Sequence, residues 1–458
     1  VAQRLCELMA ALPSSHARGV KKDIDRFEKR RNIQFSPRQR EAITSALGTG
    51  VMVITGGPGT GKTTIINCII SLLGQNGSVV LCAPTGRAAK RMSEATGVEA
   101  KTIHRLLEYG GDEANFARDQ EKPVEGDCVI VDEMSMVDLM LMRSLLRAIE
   151  PGTRLLMVGD ADQLPSVGAG NVLGDILQSG AVPQVRLTDI FRQDEASRIV
   201  VNAHRINHGE MPLLNEKGTD FFFERREGAV QASQSIVQLV TSRLPRFLHY
   251  EEDEKLERAM RSIQVLSPTK KGECGVNNLN ALLQQALNPP GTHKPSIRYG
   301  ETVFRLGDKV MQTRNDYQLE WRKETPAGWE DGTGVFNGDV GFVTHVDQEE
   351  HSLTVLFDEE REVCYQSAQL ENLELAYCLS VHKSQGSEFP VVVMPVVGGP
   401  PMLLTRNLFY TALTRARSLV VLVGREEVVR QMVENDHILR RYTTLAARIR
   451  AVAELLPR

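Results

Sequence analysis

Aromatic residues make up only 5% of this 458-residue chain, and just two of them are tryptophans. Proteins that hold bases by ring stacking usually carry several such platforms, so the supply of them here is thin. The seven cysteines, Cys6, Cys68, Cys82, Cys128, Cys274, Cys364 and Cys378, are scattered and form no C-x-x-C pair. That argues against a zinc site or a disulfide framework and for a reducing, cytoplasmic compartment, where a free thiol in an apolar run behaves as a small hydrophobe. No apolar run approaches the ~18 residues of a membrane-spanning helix. The first residues lack the basic start and apolar stretch of a signal peptide. Positive charge is not in excess either. The net charge is −4, so any polyanion would have to be met by a local basic groove. The first 31 residues carry eight Lys/Arg against four Asp/Glu, ending in Lys29-Arg30-Arg31, which reads as a solvated helix face. There is no long repeat at fixed period. The chain opens on Val1 rather than Met, as expected for a fragment of a longer protein.

What is present is more specific. Residues 56–63 read Gly-Gly-Pro-Gly-Thr-Gly-Lys-Thr after the apolar run Val51-Met52-Val53-Ile54. This fits the G-x-x-x-x-G-K-[ST] phosphate loop, with a buried strand predicted before it and a helix over roughly 62–73 after it. Gly56, Gly59 and Gly61 let backbone N–H groups turn inward towards phosphate oxygens. Lys62 can reach the β/γ-phosphates, the Thr63 hydroxyl can ligate Mg²⁺, and the helix presents its positive end to the anion. A nucleoside triphosphate with Mg²⁺ is the expected ligand.

The length allows about three domains. Residues 1–35 read as a helical segment, with Ser36 placed to cap a helix that has Pro37 at its first position. Strand-like runs at Val51–Thr55, Val79–Cys82, Cys128–Val131 and Arg154–Val158 alternate with helical patterns, which predicts an α/β domain with a parallel sheet over 36–186. The polar segment 108–126 interrupts it as a hairpin or a plain loop. A second α/β block is expected over 187–300 and 373–458, carrying strands at Ile263–Leu266, Val391–Val396 and Leu419–Val423. Between them, 301–372 reads as a small β-rich insertion.

Val129-Ile130-Val131-Asp132-Glu133 ends a buried strand in two carboxylates. Asp132 suits the Mg²⁺ shell and Glu133 a base that orients the attacking water. Gln163, in Gly159-Asp160-Ala161-Asp162-Gln163, offers an amide to the γ-phosphate or its water, although a plain Asp/Gly turn reads equally well. Arg192 and Arg415, outside the first block, are guanidinium groups suited to charge developing on a transferred phosphoryl group. Taken singly, each is an ordinary surface arginine.

The ordered set Gln39, GGPGTGKTT, APTGRAA (83–89), TIHRLL (102–107), VIVDEMSMVD (129–138), GDADQLPSVGAG (159–170), LTDIFRQ (187–193), SVHKSQGSEFPVVV (380–393) and YTALTRAR (410–417) resembles the motif series of superfamily 1 DNA helicases. It is most similar to the RecD-like group that moves 5′ to 3′, as are LSPTKKGECGVNNLN (266–280) and FNGDVGFV (336–343). The resemblance covers about residues 36 to 425. It implies two RecA-like domains with ATP bound between them, an SH3-like insertion, and a strand-splitting hairpin at 108–126. Gln39 would read the adenine edge. Gly57, Pro58, Gly59, Thr60, Gly61, Lys62, Thr63 and Thr64 would line the nucleotide, with Glu388 near its sugar and phosphates. Lys62, Asp132, Glu133, Gln163, Arg192 and Arg415 would serve hydrolysis, with Thr63 and Asp132 on the metal. Pro84, Thr85, Thr102 and His104 would lie along single-stranded DNA on the first domain, and Ser380, His382 and Gln385 on the second. Tyr317, Trp321, Trp329 and Phe336 are further stacking candidates, although Phe336 reads at least as well as part of a small barrel core.

The expected function is an ATP-dependent helicase that translocates on single-stranded DNA, opens duplex at junctions, and works as a cytoplasmic monomer in repair or recombination. Two rivals stand beside it. One is a translocase or switch that does not unwind. The other is a non-enzymatic single-strand binding module, against which the intact Lys62, Asp132, Glu133 and Arg415 argue. A GTPase switch is disfavoured, because the Asn-Lys-x-Asp guanine motif is missing.

Overall fold

Alternate residues of the apolar runs face opposite ways, and this fixes the layers. Val51 and Val53 bury among the helices on one side of a sheet, and Met52 and Ile54 on the other. The computed structural model describes residues 1–12, 19–74, 77–110, 115–189, 197–216, 220–326, 328–358, 360–437 and 441–455. The chain divides into two compact units, Val1–His204 with Ile438–Arg458, and Arg205–His437.

In the first unit, strands β1 (Val51–Gly56), β2 (Val79–Ala83), β3 (Ala100–Thr102), β6 (Cys128–Val131), β7 (Arg154–Gly159) and β8 (Gln184–Leu187) form one sheet in the order β3-β2-β6-β7-β1-β8. Between β3 and β6 lies a minimal hairpin of β4 (Tyr109–Gly110) and β5 (Asn115–Phe116). Every pairing in the six-stranded sheet is parallel. Parallel strands need helical crossovers, and the crossovers cover both faces. One face packs the helices Ala2–Ala11, Leu139–Arg147, Val172–Ser179 and Leu445–Ala453, and the other packs Val20–Arg31, Pro37–Gly48 and Lys62–Leu73. Ser36 caps the helix that begins at Pro37 and completes a capping box with Gln39.

The second unit has a five-stranded parallel sheet of β9 (Phe221–Arg225), β10 (Ile263–Ser267), β20 (Cys378–Ser380), β21 (Phe389–Val396) and β22 (Ala416–Gly424), in the order β20-β10-β21-β22-β9. Between β10 and β20 come the short pair β11 (Ser296–Tyr299) and β12 (Thr302–Arg305), then an antiparallel sheet. Its strands are β13 (Lys309–Gln312), β14 (Asp316–Thr325), β15 (Gly328–Val335), β16 (Val340–Asp347), β17 (Ser352–Phe357), β18 (Arg361–Tyr365) and β19 (Leu373–Leu375), in the order β15-β14-β18-β17-β16-β13-β19. This is the expected insertion, and it has its own core around Phe304, Phe357 and Tyr365.

Two expected boundaries move. The first unit extends to His204 rather than stopping near 186, and the C-terminal stretch assigned to the second block belongs to the first. The helix Leu445–Ala453 buries Leu445 and Ile449 in the same cluster as Ala2, Leu5 and Leu8. An amphipathic pattern announces that a helix needs a partner, but not which sheet supplies it.

Asp308 joins the insertion to the parallel sheet's helices. It is fully buried and accepts hydrogen bonds from Gln284 Nε2 (2.6 Å), Asn288 Nδ2 (2.7 Å), the Arg305 amide (2.7 Å) and Tyr377 OH (2.8 Å). Asp308→Ala strands these donors in an apolar setting, and we expect a loss of about 3 kcal/mol. Urea unfolding followed by tryptophan fluorescence reads it directly, because Trp321 and Trp329 both lie in the insertion. On the same hairpin, a Cβ added to Gly332 would sit 2.3 Å from the Trp321 ring. Gly332→Ala should displace the indole and shift its emission, at about 1–3 kcal/mol. Unchanged emission would show that the ring has room to move. Among the described residues, no helix is long and apolar enough to cross a membrane.

Candidate functional site

The carboxyl ends of parallel strands are where side chains and loops from different elements converge. Strands β6, β7 and β1 are neighbours in the first unit, and each ends in one of the motifs read from the sequence. From β1 the chain turns through Gly57–Gly61 into the helix Lys62–Leu73. Gly59 and Gly61 have φ of 69° and 78°. These are left-handed values that glycine adopts without strain, and they aim the intervening amides into the loop. Thr60 is buried and donates its hydroxyl to Gly57 O at 2.8 Å. Gln39 is buried with both ends of its amide engaged. Its Nε2 donates to Thr60 O (2.9 Å) and its Oε1 accepts from the Ser36 amide (2.8 Å). It therefore ties the loop to the helix Pro37–Gly48. Lys62 Nζ lies across the loop mouth, donating to Gly56 O (2.7 Å) and Gly57 O (2.8 Å). Thr63 and Thr64 follow in the first helical turn, and Thr63 is exposed.

From β6 the chain passes Asp132 and turns sharply at Glu133, whose φ of 53° is unusual for a residue with a side chain. At that turn the Asp132 carboxylate accepts the Glu133 amide at 2.8 Å. Burial, followed by the charge of Glu133, holds the Asp132 carboxyl above the usual carboxylate range. Glu133 is buried and ion-paired to Arg91 Nη2. Arg91 stands on the helix Gly86–Thr96. Sequence reading did not single it out, and one arginine on an amphipathic helix carries no signal that would have. From β7, Gln163 donates to the buried Asp160 carboxylate at 3.2 Å, and Ala161 N donates to Thr55 Oγ1 at 3.1 Å. Pro58 completes the loop.

The candidate DNA residues of this unit sit on the other half of the same edge. Strands β2 and β3 pair with Ala83 opposite Thr102, which places Pro84 and Thr85 beside Thr102 and His104. Thr85 and Thr102 both cap helices, accepting from Ala88 N (3.3 Å) and Arg105 N (3.0 Å). The His104 ring meets Tyr109 edge-on and Phe116 at a tilt, each 5.7 Å away, and those two rings lie 4.9 Å apart. The base of the hairpin thus rests on His104. Burial holds this imidazole below its usual pKa, against the opposing pull of the Asp138 carboxylate.

In the second unit, Arg415 is buried and donates to the carbonyls of Thr411 (3.3 Å) and Ser387 (3.2 Å) and to Thr414 Oγ1 (3.3 Å). Next to Ser387, Glu388 pairs with Arg417 at 2.9 Å. Ser380 ends β20, and Val381–Ser384 forms a short turn of helix that carries His382 and leads to the buried Gln385. Arg192 lies outside the described residues. Of the aromatic candidates, Tyr317 and Phe336 pack against each other (5.7 Å), while Trp329 is exposed and lies under Arg322 (4.9 Å).

Fold and site together define a P-loop NTPase of two α/β units with the motif order of superfamily 1 helicases. Three family models match along the chain: an AAA domain over residues 39–169, an ATP-dependent RecD-like DNA helicase SH3 domain over 279–357, and a UvrD-like helicase C-terminal domain over 375–423. The chain is 36% identical over 441 residues to the ATP-dependent RecD2 DNA helicase of Deinococcus radiodurans, spanning 96% of this chain and 56% of that one. It is 31% identical over 475 residues to the RecBCD enzyme subunit RecD of Mycolicibacterium smegmatis, spanning 98% of this chain and 80% of that one. Among solved structures, a Pif1 helicase from Bacteroides matches with a TM-score of 0.47 and 18% identity, covering 91% of this chain and 94% of that one. The chain belongs to the RecD family. It spans little more than half the length of its Deinococcus relative.

Proposed function

We propose that this chain carries an ATP-driven DNA helicase motor that moves 5′ to 3′ on single-stranded DNA and opens duplex at junctions. It acts as a monomer in the cytoplasm, in DNA repair or recombination. One observation carries the reading. The phosphate loop, Asp132–Glu133 and Gln163 share one sheet edge with Pro84, Thr85, Thr102 and His104. A change at the nucleotide therefore has a short path to the strand-holding residues. The Deinococcus relative, named as an ATP-dependent DNA helicase, supports it.

Thr63 and Asp132 are hard oxygen donors of the kind Mg²⁺ takes, and they would hold that ion. Bound MgATP would supply the labile phosphoanhydride and a counter-charge to it. The chain does the rest. Lys62 exchanges its two loop carbonyls for phosphate oxygens. Glu133, steered by Arg91, orients a water and takes its proton. Gln163 registers the γ-phosphate, and Arg415 and Arg192 stabilise the charge that develops on it. Gln39 fixes the adenine end, and Glu388 serves the sugar and phosphate side. Ser380, His382 and Gln385 hold the strand on the second unit, and alternation between the two sets of contacts gives directed movement. The hairpin expected within 108–126 is the wedge.

Unwinding of 5′-tailed, 3′-tailed and blunt duplexes tests this. Opening of the 5′-tailed substrate alone is expected. DNA-stimulated ATP hydrolysis without strand separation would leave a translocase in its place, and preference for the 3′ tail would reverse the polarity.

A further inference from the structure

The loop that follows Gln163 is held by a residue far away in sequence. Arg441 donates through its two terminal nitrogens to the backbone carbonyls of Ser166, Gly168 and Gly170. The intervening Ala169 carbonyl accepts from Leu139 N at 2.9 Å. Four carbonyls of one five-residue stretch are therefore fixed from outside it. A planar guanidinium is suited to such a fork, and an ammonium is a poorer substitute.

The same loop touches both halves of the sheet edge. At one end, Gln163 and Asp160 form the turn that faces the nucleotide motifs. At the other, Gly168 is packed against Asp138, where an added Cβ would stand 2.1 Å from Asp138 Oδ2. Asp138 caps the helix Leu139–Arg147, accepting from Met140 N and Leu141 N at 2.9 Å, and its charge reaches His104.

Attachment of the C-terminal segment does not itself require this arginine. Leu445, Ala446 and Ile449 are buried, and Thr443 hydrogen-bonds Asp175.

We propose that Arg441 is a positioning residue for ATP turnover: through the carbonyls of Ser166, Gly168 and Gly170 it sets the loop that carries Gln163. This inference rests on the motor reading above.

Three variants of the full chain test it: Arg441→Ala, Arg441→Lys and Thr443→Val. For each, basal and DNA-stimulated ATP hydrolysis, KM for ATP, melting temperature, and hydrogen exchange of the 163–170 amides are measured. Arg441→Ala should melt slightly lower, because three loop carbonyls lose their donor, keep its KM, lose kcat about tenfold with and without DNA, and exchange faster in the loop. Arg441→Lys should recover part of both losses, and Thr443→Val should behave as wild type. Wild-type turnover in Arg441→Ala, or equal losses of turnover in Arg441→Ala and Thr443→Val, would reduce Arg441 to an attachment point. A wild-type chain without DNA-stimulated turnover would instead fail the motor reading, and this assignment with it.

Discussion

Lys62→Ala is expected to lower DNA-stimulated ATP turnover by about 10²–10³-fold, the scale seen when one donor to developing charge is removed. The fold should survive. Lys62 is half-buried, and its partners in the protein are two loop carbonyls, Gly56 O and Gly57 O, at 2.7 and 2.8 Å. Losing those bonds costs about 1 kcal/mol, because the loop keeps its shape through Thr60, which Gly57 and Gln39 hold independently. Phosphate release with single-stranded DNA present, paired with a thermal melt, separates the two effects. Full turnover in this variant would overturn the assignment of the nucleotide site.

Glu133→Gln should cut hydrolysis by about 10²–10⁴-fold, the range of a lost general base, while ATP still binds, since the role proposed for Glu133 is on the water. It has a second consequence that a remote residue would not share. Burial and the Glu133 charge raise the Asp132 pKa. An acid whose folded-state pKa is raised costs the fold stability when ionised, and that cost disappears as pH falls through the raised value towards the unfolded one. Without Mg²⁺, the wild-type chain should therefore gain stability from this site on mild acidification. In Glu133→Gln the neighbouring charge is gone, Asp132 titrates closer to its ordinary range, and the gain should shrink. Thermal melts in Mg²⁺-free buffers from neutral to mildly acidic measure it. An identical pH profile in both chains would show that the two carboxyl groups do not feel each other.

Much of the first unit's site was legible because its residues sit in short runs with their own context. An apolar strand followed by glycines, lysine and threonine, and an apolar strand ending in Asp132-Glu133, each state a strand end and its chemistry together. Arg91 was not legible: its partner Glu133 lies on another element, and only the closing of β2 against β6 brings the two within an ion pair. The roles of Thr85 and Thr102 as caps were hidden for a similar reason, because the donors they satisfy exist only once the following helices form.

The sequence by itself determined the ligand class, the parallel α/β character of both blocks and the β-rich insertion, since these depend on local periodicity and on loops of fixed spacing. The tertiary structure decided the rest. It set the strand order that lines up the three nucleotide motifs, and it rested the hairpin on His104. It also attached the C-terminal helix to the first unit and gave Arg441 the carbonyls of the Ser166–Gly170 loop. The physical reason is range. Periodicity and capping act over a few residues, whereas apolar burial and hydrogen bonding between distant segments are satisfied only by the packed whole.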